Sequence, residues 1–348
     1  MVPTMSESMT ETLPAGMMPA LMKTEAGVGH FGLGMVAIPV AKPGQVIVEV
    51  AAAGVCGTDL HIIDDVYGSI PPVVLGHEVS GTVIELGEGV DATWLGARVA
   101  CESHHQVCTC DYCRDGRRNL CDNKTSMGSF VNGGFAPRLA IPITLVHRIP
   151  DHVSLEGAAM LEPVASVCNV MFDPGVITAG DRVLVTGPGP VGLIAAQIAR
   201  AQGGIVVVTG LPSDAARLAI ARELGFEAID APTDRLFDVV VECSGSADGA
   251  RAALTAAKKG GRYLAVGLYG KDVTIPFDLV LYKELVVSSG FAATPKSWLR
   301  ALRLLELGSI ELKPLISGSE PLERWEAVLQ SLRAGETMKV LFDPRLAG

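Results

Sequence analysis

The stretch Asp181–Gly204, DRVLVTGPGPVGLIAAQIARAQGG, decides the fold. DRVLVTG reads as a short buried strand. PVGLIAAQIARAQ reads as an apolar helix, with Pro190 in its first turn and Gly203 and Gly204 past its end. Between them lies a Gly-x-Gly-x-x-Gly turn at Gly187, Gly189 and Gly192. In a chain with 39 glycines that spacing alone says little. Directly after a strand and at the head of a helix, it is the turn that receives a dinucleotide diphosphate. Gly187 permits the tight bend, Gly189 lets backbone approach the ligand, and Gly192 lets helix pack on strand. The helix N-terminus, opened by Pro190, then offers unpaired N–H groups from Val191 onward to the anion.

The pattern continues outward. IVVVTG is a second strand and SDAARLAIARELG a second helix, with Ser213 as the expected N-cap and Gly225 as the residue after its end. FDVVVECSG, GRYLAVGLYG and ELVVSSG continue the strands, with a helix near 247–257. Strands alternating with helices over 165–295 predict an α/β, doubly wound parallel sheet. Ser244, Val266, Gly267, Ser289 and Gly290, in these later segments, are further candidate coenzyme contacts. About 20 positions past the first glycine an acidic residue is expected, to bind the ribose hydroxyls of NAD. Gly210 and Leu211 stand there instead. No carboxylate is present to repel a 2′-phosphate. Ser213 and Arg217 are placed to contact one, unless Asp214 compensates Arg217. The coenzyme expected is NAD or NADP, with a slight lean to NADP.

The segment 18–164 carries short strand signals, QVIVEVAAAG, VSGTVIELG and FAPRLAIP, closely punctuated by Gly and Pro. It reads as a β-rich domain. Residues 1–17 read as a disordered tail. The segment 296–348 holds one helix, PKSWLRALRLLELG, and a strand, KVLFDP, that is expected to return to the first domain. The β-rich part also contains metal-binding residue types: Cys56 in GVCGTDLH, His77 and Glu78 in VLGHEVSG, and Glu162 in LEPVAS. A thiolate, an imidazole and a carboxylate can hold one zinc ion with a position left open. Glu78 is either an outer partner of His77 or an alternative ligand. Taken singly, each has an ordinary reading: a buried cysteine, a hydrogen-bonded histidine, a surface turn.

Composition narrows the function. The 348 residues suggest two domains at about 150 residues each. A net charge of −10 with no basic run argues against nucleic acid or an anionic membrane as partner. There is no run of about 18 apolar residues to span a bilayer. The N-terminus lacks the pattern of a secretion signal, so a cytoplasmic protein is expected. Of eight cysteines, Cys108, Cys110, Cys113 and Cys121 cluster, and read as a metal site rather than a disulfide framework. His104 and His105 either line the substrate cleft or face solvent, and are given no role.

GVCGTDLH, VLGHEVSGTVIELGEGV, the cysteine cluster, GGFA, LEPVAS, VTGPGPVG and KELVVSSGF occur in that order. The chain thereby resembles the medium-chain, zinc-dependent alcohol dehydrogenase superfamily, over nearly its whole length after residue 17. It is most similar in look to the sorbitol (polyol) and threonine dehydrogenases, which also carry Glu at the place of Glu162. The resemblance implies a Rossmann domain beside a GroES-like catalytic domain. It implies a catalytic zinc at Cys56, His77 and Glu162, with Glu78 beside it. Thr58 would pass the substrate proton on, His61 would carry it toward solvent through the nicotinamide ribose, and Asp59 would orient that loop. A homodimer or homotetramer is implied as well. The family's structural zinc takes C-x2-C-x2-C-x7-C. Here Val107 stands at the first place and Cys108 one residue later, so the spacing is C-x-C-x2-C-x7-C. A filled structural zinc is expected, with a three-cysteine or an empty site as alternatives. The expected reaction is hydride transfer between a small-molecule secondary alcohol, a polyol or sugar-derived alcohol, and NAD(P). A β-hydroxy amino acid of the threonine type is the alternative substrate. A catalytically silent NADPH-binding or structural zinc protein is the alternative from another class. It is disfavoured because none of the three zinc ligands is lost.

Overall fold

The computed structural model describes residues 15–105, 108–172, 176–230 and 234–346. Its parallel sheet has strands Arg182–Thr186, Ile205–Thr209, Glu227–Ile229, Phe237–Glu242, Ala257–Ala265 and Val286–Ser289. In space they run third, second, first, fourth, fifth, sixth, all parallel. The order reverses beside Arg182–Thr186, and a crevice for a dinucleotide opens where such an order reverses. That strand is apolar along its length because both faces are covered; Val183, Leu184 and Val185 are buried.

The helix Pro190–Ala201 starts as its sequence predicts, with Gly189 as N-cap and Pro190 in its first turn. Leu193, Ile194, Ala196 and Ile198 anchor it in the main core. The second helix starts differently. Ser213 is not its N-cap; Pro212–Asp214 form a 3-10 turn and the helix runs Ala215–Glu223. Pro212, with its φ preset, opens the turn earlier. Asp214 then accepts the Leu211 N–H at 2.9 Å. Gly225 follows that helix at φ +82°, in the left-handed region expected of it.

The other large sheet has seven strands. Its order is Val146–Arg148, Arg98–Cys101, Glu78–Leu86, Gln45–Gly54, Lys339–Phe342 and Ile316–Glu320, with Arg138–Pro142 also paired to Gln45–Gly54. The expected return of KVLFDP is present: Leu341 lies opposite Gly54 in an antiparallel pair. The helix Pro295–Glu306 does not return with it. Its Trp298, Ala301 and Leu305 share the core of the parallel sheet and of the helix Leu161–Phe172, so the crossing comes later, with Ile316–Glu320. A smaller sheet joins Phe31–Ala37, Met17–Lys23 and Val73–Val74. Met17 is therefore a strand residue, not part of a tail; residues 1–14 of that expected tail, and Val107, lie outside the described residues.

Two glycines of the turn are required by the packing. Gly187 sits at φ +89°, and a Cβ on it would lie 2.7 Å from the Ser244 Cα. A Cβ on Gly192 would overlap the Gly187 carbonyl oxygen. Gly189 has nothing within 4 Å, so the space over it is open for a ligand. Gly192→Ala should cost about 1–3 kcal/mol by overpacking and lower the thermal midpoint by several degrees in scanning calorimetry. An unchanged midpoint would mean that the turn relaxes freely.

Candidate metal and coenzyme site

Strand pairing assembles the metal-binding residues. Gly54 pairs with Glu78, so Cys56, just past one strand, meets His77, just before the next. Cys56, His77 and Glu78 each offer one ligand atom, all within 4.8 Å of one another. A sulfur, an imidazole nitrogen and a carboxylate oxygen suit zinc. Asp59, fully buried in the helix Gly57–Ile63, ties the arrangement together. One of its oxygens accepts the Cys56 N–H at 2.8 Å. The other lies 3.5 Å from His77 Nδ1, long for a hydrogen bond, so the attraction there is mainly ionic. That contact leaves the second ring nitrogen for a metal, the usual carboxylate–histidine arrangement. Burial works against a charged His77, but Asp59 and Cys56 override it and hold its pKa well above the ordinary value. A metal entering here displaces that proton.

Glu162 does not join this convergent set. It sits in the first turn of the helix Leu161–Phe172, where its Oε1 accepts from Ser103 Oγ at 3.2 Å and Ser166 Oγ at 3.4 Å. Burial pushes its pKa up, while the nearby His77 pulls it down and Glu78 pushes it up again. Glu162 thus lies near His77, with both serines on its Oε1, while Glu78 stands closer to Cys56 and His77. Both Glu78 oxygens are already occupied by Lys339, at 2.7 and 2.8 Å. Ser103, Ser166 and Lys339 were not legible in the sequence. The two serines carry no motif, and Lys339 lies 261 residues from Glu78. His104, also buried, shares Ser103 through its Nδ1 at 2.9 Å, and burial drives its pKa down to about 4.

Thr58 and His61 lie on the helix that begins after Cys56. Thr58 Oγ1 is 3.8 Å from Cys56 Sγ. His61 faces the loop after Ala257–Ala265: a Cβ on Gly270 would lie 3.5 Å from its ring. That loop contains Val266 and Gly267. They lie with Gly187, Ser244 and Gly290 just past the C-terminal ends of the parallel strands, and Ser289 is the last residue of its strand, on the side where such sheets bind a dinucleotide. Ser244 is fixed by Glu242, a fully buried carboxylate that accepts its N–H at 2.8 Å and its hydroxyl at 2.5 Å. On the adenosine side, Leu211 is exposed. Arg217 lies 3.6 Å from Asp214 and reaches the Gly335 and Thr337 carbonyls at 3.5 Å.

The four clustered cysteines converge despite their shifted spacing. Cys108 Sγ is 3.2 Å from Cys121 and 3.8 Å from Cys113, and Cys110 is 3.7 Å from Cys121. Four thiolates on one tetrahedral zinc stand about 3.8 Å apart, so the cluster fits that ion closely. The lobe is tied to the coenzyme side: Asn119, two residues before Cys121, donates to the Phe291 carbonyl at 2.6 Å.

Two family models match the chain: the alcohol dehydrogenase GroES-like domain over residues 42–151 and the zinc-binding dehydrogenase over 190–306. A sorbitol dehydrogenase of Halalkalibacterium halodurans is 36% identical over 342 residues, 94% of this chain and 99% of that one. A D-arabitol-phosphate dehydrogenase of Enterococcus avium is 32% identical, covering 94% and 97%. Among solved structures, one described as a zinc-binding dehydrogenase from Sinorhizobium meliloti 1021, bound to NADP, superposes with a TM-score of 0.86 at 32% identity, covering 94% and 99%.

Mass spectrometry under native conditions should find about two zinc ions per chain. Cys56→Ser and Cys113→Ser should each lose a different one. A wild type that holds a single ion, retained unchanged in Cys113→Ser, would leave the four-cysteine cluster empty.

Proposed function

The chain belongs to the zinc-dependent medium-chain alcohol dehydrogenases, and on that premise we propose the ligands, relay and coenzyme preference by which it works. It is an NAD(P)-dependent oxidoreductase that acts on the CH–OH group of a secondary alcohol, of polyol or sugar-derived type. One observation carries the assignment of residues. The convergent Cys56 and His77 sit at the head of a helix whose His61 faces the loop proposed to carry the coenzyme.

Cys56 and His77 would hold the catalytic zinc with a carboxylate, Glu162 as the sequence suggests or Glu78, which converges with them while paired to Lys339. When bound, zinc supplies Lewis acidity to the alcohol oxygen and the nicotinamide accepts the hydride. Asp59 orients His77 and anchors the Cys56 N–H. Thr58 takes the alcohol proton, and His61 passes it toward solvent. Cys108, Cys110, Cys113 and Cys121 would hold the structural zinc. Gly187, Gly189, Pro190, Val191 and Gly192 would cradle the diphosphate, with Ser244, Val266, Gly267, Ser289 and Gly290 along the nicotinamide half.

The preference proposed is NADP over NAD. No carboxylate ends the strand Ile205–Thr209, and Asp214 is turned onto the Leu211 N–H. Ser213 and Arg217 remain at hand, although Asp214 offsets part of the Arg217 charge. The domain division proposed is 17–164 with the chain returning from Ile316 as catalytic unit, and 165–295 with the helix Pro295–Glu306 as coenzyme unit. A homodimer or homotetramer is supported by Val286–Ser289, which closes one side of the parallel sheet with Val286 exposed beside exposed Leu281 and Tyr282. A cytoplasmic setting is supported by the cysteines, since the described residues form no disulfide. No described helix is long and apolar enough to cross a membrane.

A dehydrogenase screen over polyols, sugars, simple secondary alcohols and threonine, with both coenzymes and with a chelator control, tests the reading. The expected result is a polyol preference, higher kcat/KM with NADP, and loss of activity on chelation. Threonine as the best substrate would move the chain to the amino-alcohol branch, and a strong NAD preference would overturn the coenzyme assignment. Separately, Thr58→Ala should bind zinc normally and turn over about 100-fold more slowly or worse. Unchanged turnover would remove Thr58 from the relay.

A further inference from the structure

The helix Gly57–Ile63, which carries Thr58 and His61, has only seven residues. So short a helix has most of its backbone groups at its ends and little stability of its own, so its direction is set by what holds those ends. Asp59 secures the first end through the Cys56 N–H. The second end is held by Lys23, the last residue of the strand Met17–Lys23, which is fully buried. Its Nζ donates to the Ile62 carbonyl at 2.7 Å and to Asp65 Oδ1 at 2.5 Å. A cation at the last turn suits the partial negative charge of the helix terminus. Asp65 itself sits at φ +59°, in the left-handed region that strains a non-glycine residue. The lysine pair keeps it there, and the chain then turns back so that the Val66 and Tyr67 N–H groups reach the His61 carbonyl at 2.8 and 3.1 Å.

Burying an ammonium is unfavourable unless it is fully paired, and an apolar side chain would fill this space without that penalty. The position therefore uses the charge for what it grips. The neighbouring clamp, Arg333 on Asp64 at 2.7 and 3.0 Å, lies exposed, and an exposed pair contributes little. Thr58 and His61 stand three residues apart, on one face of the helix. A proton passes between groups only within hydrogen-bond reach, so a shift of about 1 Å at the helix end is enough to break the line. His61 lies one residue before the carbonyl that Lys23 caps, and its ring faces Gly270. We propose that Lys23 is a positioning residue of the proton relay: it fixes the end of the helix, and with it the His61 imidazole against the loop at Gly270. The proposal rests on the relay through Thr58 and His61.

The test uses the full-length zinc enzyme with the alcohol and coenzyme that rank first in the screen. Turnover is compared in dilute and in concentrated glycinamide buffer at one pH and ionic strength, since a small base in solution replaces a missing relay. His61→Gln should turn over about 100-fold more slowly in dilute buffer and recover at least about tenfold in concentrated buffer. No loss, or no recovery, means that His61 carries no proton, and the proposal falls with the relay. Lys23→Met should keep the zinc content and coenzyme dissociation constant of wild type, lose at least about tenfold in dilute buffer, and recover with buffer as His61→Gln does. A merely structural disturbance is not relieved by a base. The position of the ring is read separately in the coenzyme-free protein: diethyl pyrocarbonate should modify His61 several-fold faster in Lys23→Met, by peptide mass spectrometry. Wild-type turnover, a loss that buffer leaves unchanged, or an unaltered His61 reactivity overturns the proposal. Should Lys23→Met fail to fold, Lys23→Met/Asp65→Asn, without the stranded carboxylate, decides by the same criteria.

Discussion

The register of one strand end governs the active site. Gly54 lies between Glu78 on one neighbouring strand and Leu341 on the other. A strand slipped by one residue turns its side chains to the opposite face. In this sheet such a slip would part Cys56 from His77 and carry Lys339 away from Glu78. The chemistry therefore rests on backbone pairing before it rests on any side chain. Asp59 then refines what the pairing has brought near, holding the Cys56 N–H with one oxygen and facing His77 with the other.

The coenzyme side follows a different logic. There the parallel sheet supplies a row of strand ends, and close contact between glycines keeps the loops thin. Gly187 presses on Ser244, and a Cβ on Gly245 would lie 2.5 Å from the Leu268 carbonyl oxygen. Glu242 collects donors from that region, taking the Ser244 N–H and hydroxyl, the Gly245 N–H at 3.1 Å and the Tyr269 hydroxyl at 3.2 Å. The two sides meet where His61 faces Gly270. Neither sheet alone would place this histidine beside that loop.

What could be read in the sequence was local in origin. The strand, glycine turn and helix of 181–204 announce themselves because periodicity and turn chemistry act over a few residues. Cys56 and His77 were legible as residue types in short motifs. Ser213 misled, since Pro212 reset the start of its helix. Glu162 was found as a carboxylate, but its tie to Ser103 depends on a loop 59 residues away. The shifted Cys108 could not be placed from its spacing; its sulfur meets those of Cys113 and Cys121 because loop backbone absorbs a one-residue offset. Lys339 had no local signature at all. Its partners are set by a strand pairing between the two ends of the chain.

That distance in sequence has a consequence for how the protein comes into being. Lys339 lies 261 residues after Glu78, and the span between them includes the whole parallel sheet. A growing polypeptide must carry that whole sheet out of the ribosome before the ammonium can reach its carboxylate. Until then Glu78 lacks this counter-charge. The pairing that balances Glu78 is thus a late event in synthesis, with a long loop to close first.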